Sequence, residues 1–309
     1  MPITLAGDFT GSNEGLKLYR LLHQAVNETG SSEFGNTSHM LTPDQVRQFE
    51  ELGYLFLPGT FSQDEMDVLR QELPGVFAQR RPEVWREKDK EAVRTAFATH
   101  RYNEAFRLLA HHPRMIRPVM ELLDGEVYIH QFKINAKAAF DGDVWQWHQD
   151  YGTWARDDLM PEPRAMNIAV FIDEVTEFNG PLMMIPKSHT DGTLAAGHDL
   201  GTTSYPLWTL DKATVSRLVE QGGLVAPKGP PGSLLMFHCN LVHASPANIS
   251  PWNRTVVYVS ACHVDNHIRQ FQREEWIAHR DFTPIACESD DCLLAYKRRR
   301  QANTPPTND

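Results

Sequence analysis

Two histidines and an aspartate in this chain have the residue types of a non-haem metal site that supports a reaction. His148 and Asp150 lie in the run Trp147-His148-Gln149-Asp150, and His243 follows far downstream. Two imidazoles and one carboxylate can occupy one face of Fe(II) and leave three coordination positions open. A bidentate co-substrate and dioxygen can then bind to the same ion. The pattern therefore predicts oxygen-activating chemistry rather than a structural metal clip.

The His-x-Asp motif occurs three times, so its copies must be compared. In an extended strand, residues i and i+2 point to the same face, and both ligands of one copy can bind a single ion. A third ligand would have to come from a later strand, with an arginine after it. The copies that begin at His263 and His279 are not followed by a histidine and an arginine at such a distance. The copy at His148 has such a histidine in His243, while His238 remains the competing third ligand. We therefore predict that the copy at His148 binds the metal.

The residues around these later histidines predict a hairpin. The run Ser233–His238 is typical of a buried strand, and the chain then passes His243 into a turn rich in Ser, Pro and Asn. The run Arg254–Ser260 is β-branched and aromatic and is predicted to be the returning strand. Arg254 would then open that strand near His243. There its guanidinium can pair with the far carboxylate of a dicarboxylic co-substrate.

Several longer segments resemble one enzyme family. They are Val127–Asn135, Trp147–Trp154, Asn179–Leu182 and Ile185–His189. These segments resemble the phytanoyl-CoA dioxygenase superfamily, and within it the ectoine hydroxylases and a free L-leucine hydroxylase, over about Leu41 to about Pro284. The resemblance implies a mainly β fold with flanking helices, a double-stranded β-helix (jelly-roll, cupin-like) barrel. It also implies an enzyme that uses Fe(II), 2-oxoglutarate and dioxygen.

The resemblance implies a role for individual residues as well. His148, Asp150 and His243 match the iron ligands of the family. Arg254 matches the arginine that binds the C5 carboxylate of 2-oxoglutarate, and its position eleven residues after His243 favours this histidine over His238. The other expected 2-oxoglutarate contacts are Gln131, Asn135 and Ser245. The expected substrate contacts are Lys133, Tyr151, Trp154 and Asn167.

Alternation along the first of these segments groups its polar residues. A period of two puts Gln131, Lys133 and Asn135 on one face of a strand together with Val127 and Ile129. Three polar groups buried without partners would be costly, so that end of the face either meets solvent or lines a polar pocket. The tryptophans near the metal motif leave a similar choice between core packing and substrate contact.

Residues around the metal-binding aspartate narrow the expected reaction. We predict a dioxygenase that hydroxylates an unactivated C–H bond of a free amino acid or an amino-acid-like small molecule, with release of succinate and CO2. Asp150 favours hydroxylation, because halogenases of this kind leave the position of the carboxylate open for chloride. Ectoine is the second choice of substrate, because Tyr151–Trp154 lacks the acidic residue that ectoine hydroxylases carry there, and Lys133 replaces their arginine. The alternatives are a tailoring oxygenase on a larger natural product and a metal-binding barrel without catalysis.

The composition agrees with a soluble enzyme without singling one out, and we expect a cytoplasmic location because Fe(II) and 2-oxoglutarate are supplied there. Forty acidic and 30 basic residues give the 309-residue chain a net charge of −10, which argues against nucleic-acid binding. No apolar run reaches membrane-spanning length, and the N-terminus has no basic-then-apolar signal segment. The four cysteines lack metal-finger spacing and are expected to be reduced thiols. We expect a monomer or a homodimer without nucleic-acid or membrane partners.

Composition also divides the chain into three parts. Residues 1–40 are predicted to be a loosely attached extension with one short helix, residues 41–290 the dioxygenase domain, and residues 291–309 a C-terminal tail. Within this tail, Arg298–Arg300 and the Pro/Thr/Asn-rich end are expected to be a solvated terminus. A segment near residues 189–223 is predicted to be inserted between strands and to form part of the active-site rim.

Capping boxes at Thr42 and Ser62 predict the starts of two helices, and further helices are expected at Pro113–Leu123 and Lys212–Gln221. Strands are expected at Val127–Ala136, Ala165–Asp173, Leu182–Pro186, Leu234–His238 and Arg254–Cys262.

Overall fold

A computed structural model describes residues 41–303, and most of its strands belong to one antiparallel sheet. The strands are β1 (Tyr54–Leu57), β2 (Val84–Arg86), β3 (Val93–Phe97), β4 (Val127–Lys137), β5 (Trp145–His148), β6 (Ala165–Phe171), β7 (Met183–Met184), β8 (Gly197–Asp199), β9 (Leu207–Thr209), β10 (Leu234–His238), β11 (His243–Ser245) and β12 (Arg254–His263). Seven strands form a large sheet in the order β1-β10-β6-β12-β4-β3-β2, three form a small sheet in the order β5-β11-β7, and β8 pairs with β9. The predicted N-terminal extension with its short helix lies outside the described residues.

Helices flank these sheets. They are α1 (Pro43–Leu52), α2 (Gln63–Phe77), α3 (Glu104–Ala110), α4 (Pro113–Leu122), α5 (Asp150–Asp157), α6 (Lys212–Gly222) and α7 (Cys292–Asn303). The capping boxes at Thr42 and Ser62 are both present: each hydroxyl accepts the backbone N–H three residues later, and the backbone N–H of each cap residue donates to the side chain of Gln45 or Glu65. The helices expected near residues 113–123 and 212–221 are confirmed as α4 and α6.

The two larger sheets pack around a shared interior, and this arrangement confirms the predicted jelly-roll barrel. Side chains from β4, β10 and β12 of the large sheet and from β5 and β11 of the small sheet line that interior. The predicted hairpin is wrong, because β11 pairs with β5 and β7 whereas β12 pairs with β4 and β6. The turn after β11 instead carries the chain from one sheet to the other. His243 and Arg254 therefore reach the interior from different sheets.

A β-bulge in β4 corrects the predicted alternation. The register of β4 with β12 shifts by one residue at His130. An extra residue reverses the phase of the side chains on either side of it. Val127 and Ile129 accordingly pack in the main apolar core, whereas Lys133 and Asn135 line the interior between the sheets. The five residues expected on one face are thus divided between two.

The C-terminal tail expected after residue 290 begins as a helix that packs on the domain, while Arg298, Arg299 and Arg300 are exposed. Cys292–Asn303 forms α7, and the side chains of Cys292 and Leu293 are buried in the main core. Lys297 Nζ also donates to Asp64 Oδ1 of α2 at 2.8 Å. The sequence pattern does not reveal this helix, because its apolar residues are confined to the first turn and a run of basic residues follows.

Two further features concern the membrane and the thiols. Among residues 41–303, no helix combines the length and the apolar character needed to cross a bilayer. The four cysteines are free, and Cys239, Cys262 and Cys292 are buried. Burial raises the pKa of the Cys262 thiol to about 12, so this group stays protonated at neutral pH.

We predict that Leu293→Ala lowers the free energy of unfolding by about 2–5 kcal/mol, because it removes a fully buried side chain and leaves a cavity. Arg299→Ala on the exposed side of the same helix is the control and should change this free energy by less than about 0.5 kcal/mol. Urea unfolding measures both. Equally small effects would show that α7 does not belong to the core.

Candidate metal centre

Three ligand atoms converge where the small sheet meets α5. His148 is the last residue of β5, Asp150 is the first of α5, and His243 is the first of β11. The two histidines are direct register partners, and their ring centroids lie 4.1 Å apart. Asp150 Oδ1 lies 3.6 Å from His148 Nε2, and Asp150 Oδ2 lies 3.5 Å from His243 Nε2. One ligand atom from each residue lies within 4.8 Å of the others, so the three side chains can share one ion.

The aspartate reaches this position from the start of a helix. The sequence pattern had predicted a strand there. Gln149 keeps an extended backbone (φ −115°, ψ 131°), so His148 and Asp150 still point to the same side. The Gln149 amide donates to the carbonyl oxygens of Gly192 at 2.8 Å and Asn240 at 2.7 Å. The middle residue of the motif therefore ties two neighbouring segments to the metal centre.

Backbone hydrogen bonds orient both imidazoles towards the metal position. His148 Nδ1 lies 2.6 Å from the carbonyl oxygen of Gln146, and His243 Nδ1 lies 2.8 Å from that of Leu241. A carbonyl oxygen only accepts, so each Nδ1 donates its proton there and Nε2 is the atom of each ring that faces the metal position. Burial, helped by the neighbouring His148, lowers the pKa of His243 to about 3. His243 is therefore neutral at physiological pH.

The Asp150 carboxylate is ionised although it is buried. Burial alone would raise its pKa, but the Lys133 ammonium, followed by His243 and His148, holds the pKa well below its usual range. Asn167 Nδ2 also donates to Asp150 Oδ2 at 2.7 Å. The centre thus offers two imidazole nitrogens and one carboxylate oxygen. This donor set fits Fe(II) with open coordination positions.

The competing histidines do not join this group. His238 Nδ1 accepts the backbone N–H of Asn240 at 3.0 Å, and its ring centroid lies 5.4 Å from that of His189. His263 and His279 begin the other two His-x-Asp motifs, and neither takes part in the three-residue cluster found in the described part of the chain. The structure therefore brings together the three ligands that the sequence predicted.

The metal ligands open into a cavity between the two sheets. The cavity is lined, besides the three ligands, by Lys133, Asn135, Trp145, Leu182, Phe237, Ser245, Arg254 and Tyr258. Four of these residues were predicted as site residues: Lys133, Asn135, Ser245 and Arg254. Sequence reasoning missed Tyr258, although it lies four residues after Arg254 and a period of two puts both on one face of β12. Leu182 and Phe237 carry no comparable signal.

Arg254 is a buried cation without an anionic partner in the described residues. Its side chain is 1% exposed, and its Nε has no hydrogen-bond partner there. Its register partner in β4 is another cation, Lys137, which donates to the carbonyl oxygen of Ser245 at 3.3 Å. Lys133 adds an ammonium group to the cavity, while Asp150 is the carboxylate among its lining residues. Because an uncompensated buried charge is costly, the Arg254 end of the cavity fits an anionic group.

Four predicted contact residues are not among the residues that line this cavity. Gln131 Nε2 donates to the carbonyl oxygen of Ile277 at 3.0 Å. Tyr151 and Trp154 belong to a buried apolar cluster, because α5 begins at Asp150 and residues i and i+3 share one face of a helix. Asn167 donates to the Asp150 carboxylate and does not line the cavity.

Comparison with known proteins identifies one family. The profile described as phytanoyl-CoA dioxygenase (PhyH) matches residues 49–256. The chain is similar to the L-proline trans-4-hydroxylase of Streptomyces griseoviridis, with 34% identity over 251 residues that cover 78% of this chain and 94% of that protein. It is also similar to the ectoine dioxygenase of Bordetella parapertussis, with 33% identity over 237 residues that cover 73% and 76% of the two chains.

The fold has solved counterparts. The structure of EctD from S. alaskensis with 2-oxoglutarate and 5-hydroxyectoine matches with a TM-score of 0.72 and 30% identity, covering 84% of this chain and 90% of that one. EctD with bound Fe matches equally well. The α-ketoglutarate-dependent carbocyclase SnoK from nogalamycin biosynthesis, at 19% identity and a TM-score of 0.62, shares the fold. Its alignment covers 84% of this chain and 98% of that one.

We predict that Asp150→Ala weakens Fe(II) binding on the order of a hundredfold or more, because two imidazoles alone remain and even groups that only orient a ligand contribute about 10–100-fold. Asp265→Ala, in the exposed aspartate of a competing His-x-Asp motif, is the matched control and should bind as the wild type does. Anaerobic titration calorimetry measures the affinities, and circular dichroism checks the fold. Similar affinities in both variants would refute the assigned ligand.

Proposed function

The chain belongs to the phytanoyl-CoA dioxygenase family, and we propose that it hydroxylates an unactivated C–H bond of a free amino acid or a closely related small molecule. It is an iron- and 2-oxoglutarate-dependent dioxygenase. The observation that carries the proposal is the convergence of His148, Asp150 and His243 beside the unpaired Arg254 guanidinium in one cavity.

Arg254 is the proposed anchor for the distal carboxylate of 2-oxoglutarate. A guanidinium can hold a carboxylate through two parallel hydrogen bonds, and Arg254 has no described anion to satisfy it. Asn135 and Ser245 line the same cavity and are proposed as further contacts to 2-oxoglutarate. The Ser245 hydroxyl donates to the carbonyl oxygen of Gly180 at 3.1 Å, so its lone pairs stay available to accept a hydrogen bond.

The residues of the chain prepare this chemistry by holding and orienting the reactants. When bound here, Fe(II) and 2-oxoglutarate supply an oxidation in which dioxygen converts 2-oxoglutarate to succinate and CO2 and places one oxygen atom on the substrate carbon. His148, Asp150 and His243 would hold the ion from one side and leave the cavity side open. Trp145 and Phe237 provide apolar walls that limit access of water. Positioning matters, since a misplacement of about 1 Å can cost about a hundredfold in rate.

A free amino acid fits the charges of the cavity. Lys133 lines it without a hydrogen bond to any described residue, so its ammonium is available to a substrate carboxylate. Burial lowers the pKa of Lys133, while the nearby Asp150 opposes this shift. An anionic group beside Lys133 would further stabilise its charged form. We therefore keep Lys133 as the proposed substrate contact.

Position 152 favours an amino acid over ectoine. A Cβ at Gly152 would lie 2.8 Å from Arg156 Nη1, and Arg156 donates to the Gly152 carbonyl oxygen at 2.6 Å. We expect ectoine hydroxylases to carry an acidic side chain at this position. This chain has glycine there instead, with the Arg156 guanidinium next to it. Similarity to the curated relatives does not separate the two substrates, because the identities to proline and ectoine enzymes are 34% and 33%.

Two other functions are less well supported. A tailoring oxygenase for a large natural product would need a wider cavity than one lined by the bulky side chains of Trp145, Phe237 and Tyr258. A metal-binding barrel without catalysis would have no use for a buried, unpaired Arg254. We also propose a cytoplasmic location, because the four thiols are free and the reaction needs reduced iron.

The proposal is tested with anaerobically prepared Fe(II) protein, 2-oxoglutarate and a panel of free amino acids, including L-proline and L-leucine, with ectoine for comparison. We expect succinate release that depends on one or more amino acids, and a product heavier by one oxygen atom in mass spectrometry. Succinate release only with ectoine would replace the proposed substrate class. No substrate-dependent release with any of these compounds would contradict the proposal.

We predict that Arg254→Ala raises the concentration of 2-oxoglutarate needed for half-maximal activity by at least about thirtyfold, the equivalent of about 2 kcal/mol for a buried charge contact. Arg254→Lys keeps the charge without the bidentate geometry and should lie between this variant and the wild type. Succinate release at varied 2-oxoglutarate measures both. An unchanged requirement in Arg254→Ala would remove the assignment.

A further inference from the structure

We propose that Asn167 is a positioning residue for the metal centre and that Ser260 holds it in the required orientation. Through this pair, the large sheet fixes the Asp150 carboxylate before a metal binds. The inference rests on the proposed function, since it concerns the affinity of the same centre for its metal. It also gives Asn167 a different role from the substrate contact that the sequence predicted.

The two hydrogen bonds form a chain that ends on the metal-binding carboxylate. Asn167 Nδ2 donates to Asp150 Oδ2 at 2.7 Å, and Ser260 Oγ donates to Asn167 Oδ1 at 2.6 Å. Asn167 and Ser260 are fully buried and are direct register partners in β6 and β12. Both strands have paired neighbours on each side within the large sheet. The chain of hydrogen bonds therefore starts from a firmly supported part of the fold.

The chemistry of the three groups fixes the direction of both bonds. An ionised carboxylate only accepts hydrogen bonds, so the NH2 group of Asn167 must face Asp150. The amide oxygen then faces Ser260, whose hydroxyl must donate. An amide turned by half a rotation would place its oxygen against the carboxylate, and two acceptors would repel each other. Ser260 thus selects the orientation of Asn167 that stabilises Asp150.

The bond from Asn167 restrains a carboxylate that could otherwise rotate about its own side-chain bonds. Asp150 is the first residue of α5, and the preceding strand has ended at His148. Its two oxygens lie at nearly equal distances from the two imidazoles, 3.6 Å and 3.5 Å. The bond from Asn167 to Oδ2 limits rotation of the carboxylate and leaves Oδ1 near His148. Groups that orient a metal ligand in this way typically change metal affinity by about 10–100-fold.

A purely structural amide would behave differently, and Asn179 provides the comparison. Asn179 is 1% exposed, donates to the carbonyl oxygen of Glu174 at 2.8 Å and accepts the N–H of Thr176 at 2.9 Å. It touches none of the metal ligands. Loss of the Asn179 amide should therefore cost stability and leave the metal centre unchanged, whereas loss of the Asn167 amide should alter the centre itself.

The test uses Co(II), which binds nitrogen and oxygen ligands as Fe(II) does and whose visible spectrum reports its coordination. Calorimetry and absorption spectra are recorded for the wild type, Asn167→Ala, Ser260→Ala and Asn179→Ala. We expect Asn167→Ala to bind Co(II) about 10–100-fold more weakly, with an altered spectrum, and Ser260→Ala to lie between it and the wild type. Asn179→Ala should have a lower Tm with wild-type affinity and spectrum.

Wild-type affinity and spectrum in both Asn167→Ala and Ser260→Ala would overturn the inference, and so would an equal loss of affinity in Asn179→Ala. If Asn167→Ala does not fold, Ser260→Ala decides alone, because it removes one hydroxyl group. Failure of the proposed function is recognised separately. A wild type that binds Co(II) but never releases succinate contradicts the reaction, while the relative Co(II) affinities still judge the positioning role.

Discussion

The ionised carboxylate of Asp150 is the group on which the arrangement of the interior depends. Burial disfavours its charge, and the Lys133 ammonium and the hydrogen bond from Asn167 offset that cost. Lys133 and Asn167 come from β4 and β6 of the large sheet, whereas Asp150 follows β5 of the small sheet. The carboxylate is therefore compensated only when the two sheets have packed. In this chain, the metal centre is complete only when the barrel has closed correctly.

One register row of the large sheet supports much of this centre. Phe237, Asn167, Ser260 and Gln131 are neighbours across β10, β6, β12 and β4. Phe237 packs edge-on against the ring of His243, with centroids 5.0 Å apart, while Asn167 and Ser260 lead to the aspartate. Gln131 binds the backbone of the segment after β12. The bulge in β4 lies at His130, next to Gln131. It directs the polar end of that strand towards the cavity and its apolar end into the core.

The sequence predicted those parts of the structure that local chemistry decides. The caps at Thr42 and Ser62 mark helix starts because the side chains act on their own backbone, and the metal ligands are recognisable because few residue types suit the ion. Features that depend on distant partners were not predictable from a pattern. The pairing of β11 and β12 with different sheets, the bulge at His130 and the burial of Leu293 arise from tertiary packing. Tyr151 and Trp154 lie in the apolar core for the same reason, because the local alternation does not reveal that α5 begins at the aspartate.

The most direct test of the account is a crystal structure grown anaerobically with Fe(II) and 2-oxoglutarate, with anomalous diffraction at the iron edge. The account predicts one strong iron peak bonded to His148, Asp150 and His243, with 2-oxoglutarate on the same ion and its distal carboxylate paired with Arg254. An iron peak at His238 or at another His-x-Asp motif would contradict it. So would 2-oxoglutarate bound away from Arg254.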